Sequence, residues 1–113
     1  MNDIIIIHPV REEVQPLFDL FKPPEYHLSF SPGMTGQEAL IQGNEMLLVL
    51  LSTDLKETDA LDYLKKNKAI FKNNLMLLNF GKDMDYLLEG LGNGALNFFD
   101  VNFNPNEIRT LIS

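Results

Sequence analysis

Ile4-Ile5-Ile6-Ile7, followed at once by His8-Pro9, places four β-branched residues in a row with no polar interruption. The run is too short to cross a membrane and too continuous for a strand with one wet face, so it reads as a parallel strand covered on both sides. Two further runs repeat the pattern, Met46 to Leu51 and Leu75 to Phe80. Tyr26 to Phe30 alternates instead, with Tyr26, Leu28 and Phe30 on one side and His27 on the other, as suits a strand at the sheet edge. A fifth run, Ala95 to Val101, is short and aromatic.

Between the runs, apolar residues recur at helical spacing. Val10, Val14, Leu17, Phe18 and Phe21 form a first stripe, with Pro16 placed in the first turn or at a kink. Thr35-x-x-Glu38 predicts a capping box opening a second helix that Gly43 closes. Ala60, Leu61 and Leu64 mark a third helix, with Lys65, Lys66 and Lys68 at its negative end. Met84, Leu87, Leu88 and Leu91 mark a fourth, ended by Gly92 and Gly94. Asn104-Pro105-Asn106-Glu107 supplies a cap, a proline at the first helical position and an acid in the first turn of a fifth, whose apolar residues are Ile108, Leu111 and Ile112. Strand and helix thus alternate throughout, and right-handed crossovers turn such a chain into a parallel sheet covered on both faces. The expected architecture is a flavodoxin-like, doubly wound (βα)5 domain over residues 1–113, strand order 2-1-3-4-5, with a short last helix. In that order, functional groups gather at the carboxyl ends of the strands.

Composition narrows the function. Sixteen acidic residues against nine basic ones give a formal charge of −7, which repels a phosphate backbone and argues against nucleic-acid binding. The absence of cysteine removes disulfides, thiolate metal sites and cysteine nucleophiles, and suits a cytoplasmic protein. No apolar run has the roughly 18 residues of a membrane-spanning helix, and the amino end lacks the pattern of a signal peptide.

Leu48-Val49-Leu50-Leu51-Ser52, with Asp59-Ala60-Leu61-Asp62-Tyr63-Leu64, resembles the third strand and third helix of two-component response-regulator receiver domains. The stretch Leu88 to Phe99, with Gly94-Ala95 before an aromatic strand and Phe103-Asn104-Pro105 beyond it, is similar to that family's fourth helix, fifth strand and the start of its fifth helix. The resemblance implies a site that this chain lacks. His8 and Pro9 stand where receivers place the two acids that hold magnesium, and Ser52 stands at the phosphoacceptor aspartate. Asn79 replaces the hydroxyl residue ending strand 4, Val101 the lysine near the end of strand 5, and Asn102 the proline after it. Phe98 occupies the switch-aromatic position without a hydroxyl.

Magnesium requires several hard oxygen ligands, and phosphoryl transfer needs that metal with a cation beside it. The expectation is therefore a degenerate receiver, a pseudoreceiver, with no metal, no cofactor and no catalysis. Ser52 and His8 suggest a nucleophile and base, but no Gly-x-Ser-x-Gly elbow surrounds Ser52, and polar residues at a sheet end suffice to explain them. The acidic residues Asp54, Glu57, Asp59 and Asp62 read as a solvated loop and helix start. What remains is protein interaction in signalling. The resemblance implies a partner, or a second copy, on the face of the fourth helix, fifth strand and fifth helix, with Tyr86, Glu89, Gly90, Phe99 and Arg109 as candidate contacts. The alternative is a small-molecule or ion-responsive sensor using the vacated pocket near Ser52 and His8.

Overall fold

Buried on both faces, the apolar runs can satisfy their backbone groups only by pairing with one another, and they do so in a single sheet. The computed structural model describes residues 2–44, 47–100, 102 and 104–112, the side chains of 2, 105, 106, 111 and 112 not among them. In chain order it comprises β1 (Asn2–Ile7), a 3-10 turn (Arg11–Val14), α1 (Gln15–Leu20), β2 (Tyr26–Ser31), α2 (Glu38–Gly43) and β3 (Leu48–Ser52). There follow α3 (Ala60–Lys66), a second 3-10 turn (Lys68–Ile70), β4 (Leu75–Asn79), α4 (Met84–Gly92), β5 (Asn97–Asp100) and α5 (Pro105–Ile112). All the pairings are parallel and the order is β2-β1-β3-β4-β5, the expected topology. Met46 and Val101, at the ends of two expected strands, lie outside the described residues.

Because strand side chains alternate, the continuous runs feed two cores at once. Ile5, Ile7, Val49, Leu51, Leu75 and Leu77 join Met34, Ile41, Ala60, Leu64, Leu87 and Ala95 on the face covered by α2, α3 and α4. Ile4, Ile6, Leu50, Met76, Leu78 and Phe99 join Val14, Leu17, Phe21 and Ile108 on the face covered by α1 and α5. Tyr26, Leu28 and Phe30 pack from the edge strand against this second core, while His27 stays exposed. At about 25 cal/mol per Å² of apolar surface, each fully buried Ile or Leu contributes roughly 1.5 to 3 kcal/mol. The described part of the fifth helix enters its core through Ile108, whereas the Leu111 and Ile112 side chains lie outside the described residues.

Three local expectations are corrected. The first stripe does not form one helix: Val10 is exposed, a 3-10 turn follows, and the α-helix starts at Gln15 with Pro16 in its first turn. The proline sets that start, since its missing N–H costs nothing where no carbonyl waits for it. The capping box does not form either. Helix α2 begins at Glu38 behind Gln37, which makes no side-chain cap, and the Glu38 carboxylate accepts the Tyr63 hydroxyl instead. Gly36, at φ +82°, bends residues 35–37 into a turn that keeps Thr35 away from the cap position. On α4, Met84 and Leu88 are exposed and the sheet side is Leu87 and Gly90. The missing side chain of Gly90 lets the helix settle on Leu77, whose Cδ1 would lie 2.5 Å from a Cβ at that position.

The loops at the carboxyl edge are tied down individually. Asp59 and Asp83 cap α3 and α4 by accepting the Asp62 and Tyr86 amides. Glu57, from the β3–α3 loop, accepts the Met34 amide of the β2–α2 loop, and its carboxylate lies where a side chain on Gly33 would begin, 2.3 Å from an added Cβ.

Candidate functional site

His8 follows β1, and Ser52 ends β3, so the pairing of these two strands brings both residues to the carboxyl edge of the sheet. The His8 Nδ1 and Ser52 Oγ lie 2.7 Å apart, and the His8 Nε2 lies 2.6 Å from Oε1 of Glu13 in the 3-10 turn. A carboxylate only accepts, so this pairing selects the Nε2–H tautomer, and the Ser52 hydroxyl donates to Nδ1. The Asp54 amide donates to the Ser52 Oγ at 2.9 Å, completing a chain from a loop backbone through serine and imidazole to a half-exposed carboxylate. Phe80 closes the arrangement, its ring stacked on His8 at 4.1 Å between centroids and 11° between planes.

At the end of β4, Asn79 makes a second network. Its amide donates to Asp100 Oδ1 (2.7 Å) and to the Lys82 carbonyl (3.1 Å), and its oxygen accepts the Lys82 amide (2.9 Å). Thr53 joins the two networks, because its hydroxyl donates to Asn79 Oδ1 at 3.4 Å and accepts the amide of Phe80, which stacks on His8, at 2.8 Å. The buried side-chain polar atoms of the described residues all have hydrogen-bond partners.

Outside this layer lies an open cleft of about 500 Å³, lined by Glu13, Asp54, Phe80 and Gly81. Ser52 and His8 are fully buried beneath it. Serine, imidazole and carboxylate have the order of a nucleophile, its base and an orienting acid. The nucleophile is sealed from solvent, however, and its oxygen already takes the Asp54 amide, so the arrangement works as a structural tie. The same residues do not fit a magnesium ion: both imidazole nitrogens are engaged, Ser52 carries no charge, and among the described residues no three His, Cys, Asp or Glu side chains converge as ligands.

His8, Pro9, Ser52 and Asn79 thus cluster at one edge of the sheet as the sequence implies, while Val101 lies outside the described residues. Asn102 is exposed and, with Phe98 and Phe99, lines a smaller cavity of about 290 Å³. Phe98 is half-buried against the core beneath α2, α3 and α4. Among the candidate contacts, Phe99 and Gly90 are buried, Phe99 because the pleat turns it toward α5 and Gly90 because it faces Leu77, so neither meets a partner in this conformation. Tyr86 is half-buried, its hydroxyl donating to Asp59 and accepting the Leu61 amide. Glu89 is exposed and paired with Lys65, and the exposed Arg109 reaches the Leu20 carbonyl. Of the residues that build the site, Glu13, Thr53, Phe80, Gly81, Lys82 and Asp100 were missed. The signal for Phe80 was a ring directly following Asn79, whereas Glu13 left none in the linear pattern.

The fold has many solved counterparts. A beryllofluoride-activated NtrC4 receiver domain dimer is 13% identical and superposes with a TM-score of 0.85, over 99% of this chain and 93% of that one. The chain has the receiver fold. A two-component response regulator from Clostridium difficile gives 0.83 at 15% identity over 99% of this chain and 93% of that one. A signal receiver domain of an HD domain-containing protein from Pseudomonas fluorescens Pf-5 gives 0.81 at 19% identity, over 97% and 82%. No family model and no curated protein matches the sequence.

Proposed function

We propose that this domain is a pseudoreceiver, a non-enzymatic protein-interaction module of signal transduction that works without phosphorylation. The observation that supports the reading is the Ser52–His8–Glu13 chain under Phe80: a neutral hydroxyl, buried and bonded on both sides, at the position that the resemblance assigns to a charged acceptor. Asn79, bonded to Asp100 and Lys82, has no spare group to follow a phosphoryl oxygen, so the contact that would bias a conformational equilibrium is missing.

The partner, or a second copy of the chain, docks on the outer side of α4 with β5 and α5. The buried Phe99 and Gly90 leave the exposed Met84, Leu88 and Leu96, with Glu89 and Arg109, as contacts on that side. The test is to cross-link the full chain in cells, identify the captured protein, and measure its affinity for the purified chain. Affinity unchanged by acetyl phosphate with magnesium, and lowered by Met84→Ser and Leu88→Ser with the fold intact, is the expected result. Affinity that rises several-fold with the phosphodonor overturns the reading. A second reading, a sensor for a small ligand, is favoured by the cleft lined by Glu13, Asp54, Phe80 and Gly81.

A further inference from the structure

The cleft over His8 is unlike a metal site and unlike an anion site. Its charged groups are carboxylates contributed by separate elements, Glu13 from the 3-10 turn after β1 and Asp54 from the β3–α3 loop, with side chains 50% and 45% exposed. Its third wall is the ring of Phe80, fixed by its stack on His8. The fourth is Gly81, where even an added Cβ would meet nothing within 4 Å, so the mouth is wide. The chain already brings an ammonium group to this rim, the Lys56 Nζ lying 3.6 Å from Asp54 Oδ2.

An aromatic wall distinguishes among cations. A small divalent ion holds its water tightly and gains nothing from a hydrocarbon ring, whereas a weakly hydrated organic cation is attracted by the ring face and by both carboxylates together. The net charge of −7 repels anions from the whole molecule. Resting on the sensor reading of this cleft, we propose that it recognises an organic monocation, an alkylammonium or guanidinium group, held between Glu13 and Asp54 against Phe80. Such a group comes either from a free small molecule or from a basic side chain of a protein, and the chemistry of the contact is the same.

The experiment is an amide chemical-shift titration of the full chain with methylguanidinium chloride, its neutral analogue N-methylurea, magnesium chloride, and the blocked tripeptide acetyl-Gly-Arg-Gly-amide. Saturable shifts confined to the amides of Glu13, Asp54, Phe80 and Gly81 are expected with methylguanidinium and the tripeptide. Asp54→Asn, which keeps the backbone bond to Ser52, is expected to weaken them about three- to tenfold, and Lys56→Gln to strengthen them by removing the competing ammonium. A tripeptide that binds tighter points to a protein side chain, and one that binds no tighter points to a free molecule; both support the proposal. Equal binding of N-methylurea, or the same shifts from magnesium at lower concentration, overturns the organic cation and leaves the sensor reading standing. No shift at these amides with any probe overturns both.

Discussion

Ser52 reads from sequence as a polar residue at a sheet end, replaceable without consequence, and its surroundings change that expectation. The hydroxyl donates to His8 and accepts the Asp54 amide inside the protein, so Ser52→Ala leaves an imidazole nitrogen and an N–H without partners. An unsatisfied buried group costs about 1–3 kcal/mol, which a shift of several degrees in thermal unfolding will register. Ser52→Asp is expected to fare no better as a phosphoacceptor: on the proposed reading, His8 and Pro9 take the positions where acids would hold the metal. Intact-mass measurement after incubation with acetyl phosphate and magnesium is expected to show neither the native chain nor this variant modified, and a stoichiometric 80 Da increment, the mass of a phosphoryl group, on either would refute it. The placement of His8, Ser52 and Asn79 was readable because each lies at the end of a strand that the apolar runs announce. Glu13 was not, because nothing in a linear pattern says that a residue five positions on turns back onto the histidine.

Helices were harder to orient than to find. Leu87 and Leu88 are equally apolar, so the single stripe Met84, Leu87, Leu88 and Leu91 does not separate the buried side from the exposed one, and the small volume of Gly90 against Leu77 marks the face that docks. Gly90→Ala tests this. Overpacking costs about 1–3 kcal/mol and the gain in helix propensity returns about 1 kcal/mol, so a net loss on the order of 1 kcal/mol is expected by chemical denaturation. The phenols on the two sides of α3, Tyr63 toward α2 and Tyr86 from α4, offer a second test. Burial, with the Glu38 carboxylate beside it, pushes the Tyr63 phenol up to about 12. Burial also raises Tyr86 to about 12, with Asp59 adding to the effect and the Leu61 amide opposing it. Below pH 10 folded and unfolded chains both keep these protons. Between 10 and 12 the unfolded chain releases them first, so stability is expected to fall as pH rises through that window. Denaturation series at pH 9 and pH 11 should show the fall, and Tyr86→Phe should make it shallower. The failed capping box has a similar origin, since the Glu38 carboxylate is taken up by Tyr63, a residue 25 positions away.

Topology and edge placement followed from hydrophobic pattern alone, because a parallel sheet buried on both faces allows few alternatives once the strands are counted. The polar layer at the carboxyl edge did not, since hydrogen bonds between loops leave no periodic trace. That layer predicts the behaviour of the whole domain: with Ser52, Asn79 and Thr53 all bonded internally, one conformation is expected to dominate. Relaxation-dispersion measurements should find no exchange at Asn79 or Phe98 that responds to acetyl phosphate, and a response there would reinstate a switch. The contact between Glu57 and the Gly33–Met34 backbone reaches further, into how such a chain can diverge. A side chain at 33 would push aside the flexible end of Glu57 and take its carboxylate off the Met34 amide. Among natural variants of this protein a bulkier residue at 33 is therefore expected to go with loss of that bond, and more often than chance with a changed residue at 57. The two loops, 23 residues apart in sequence, are expected to evolve as a single locus.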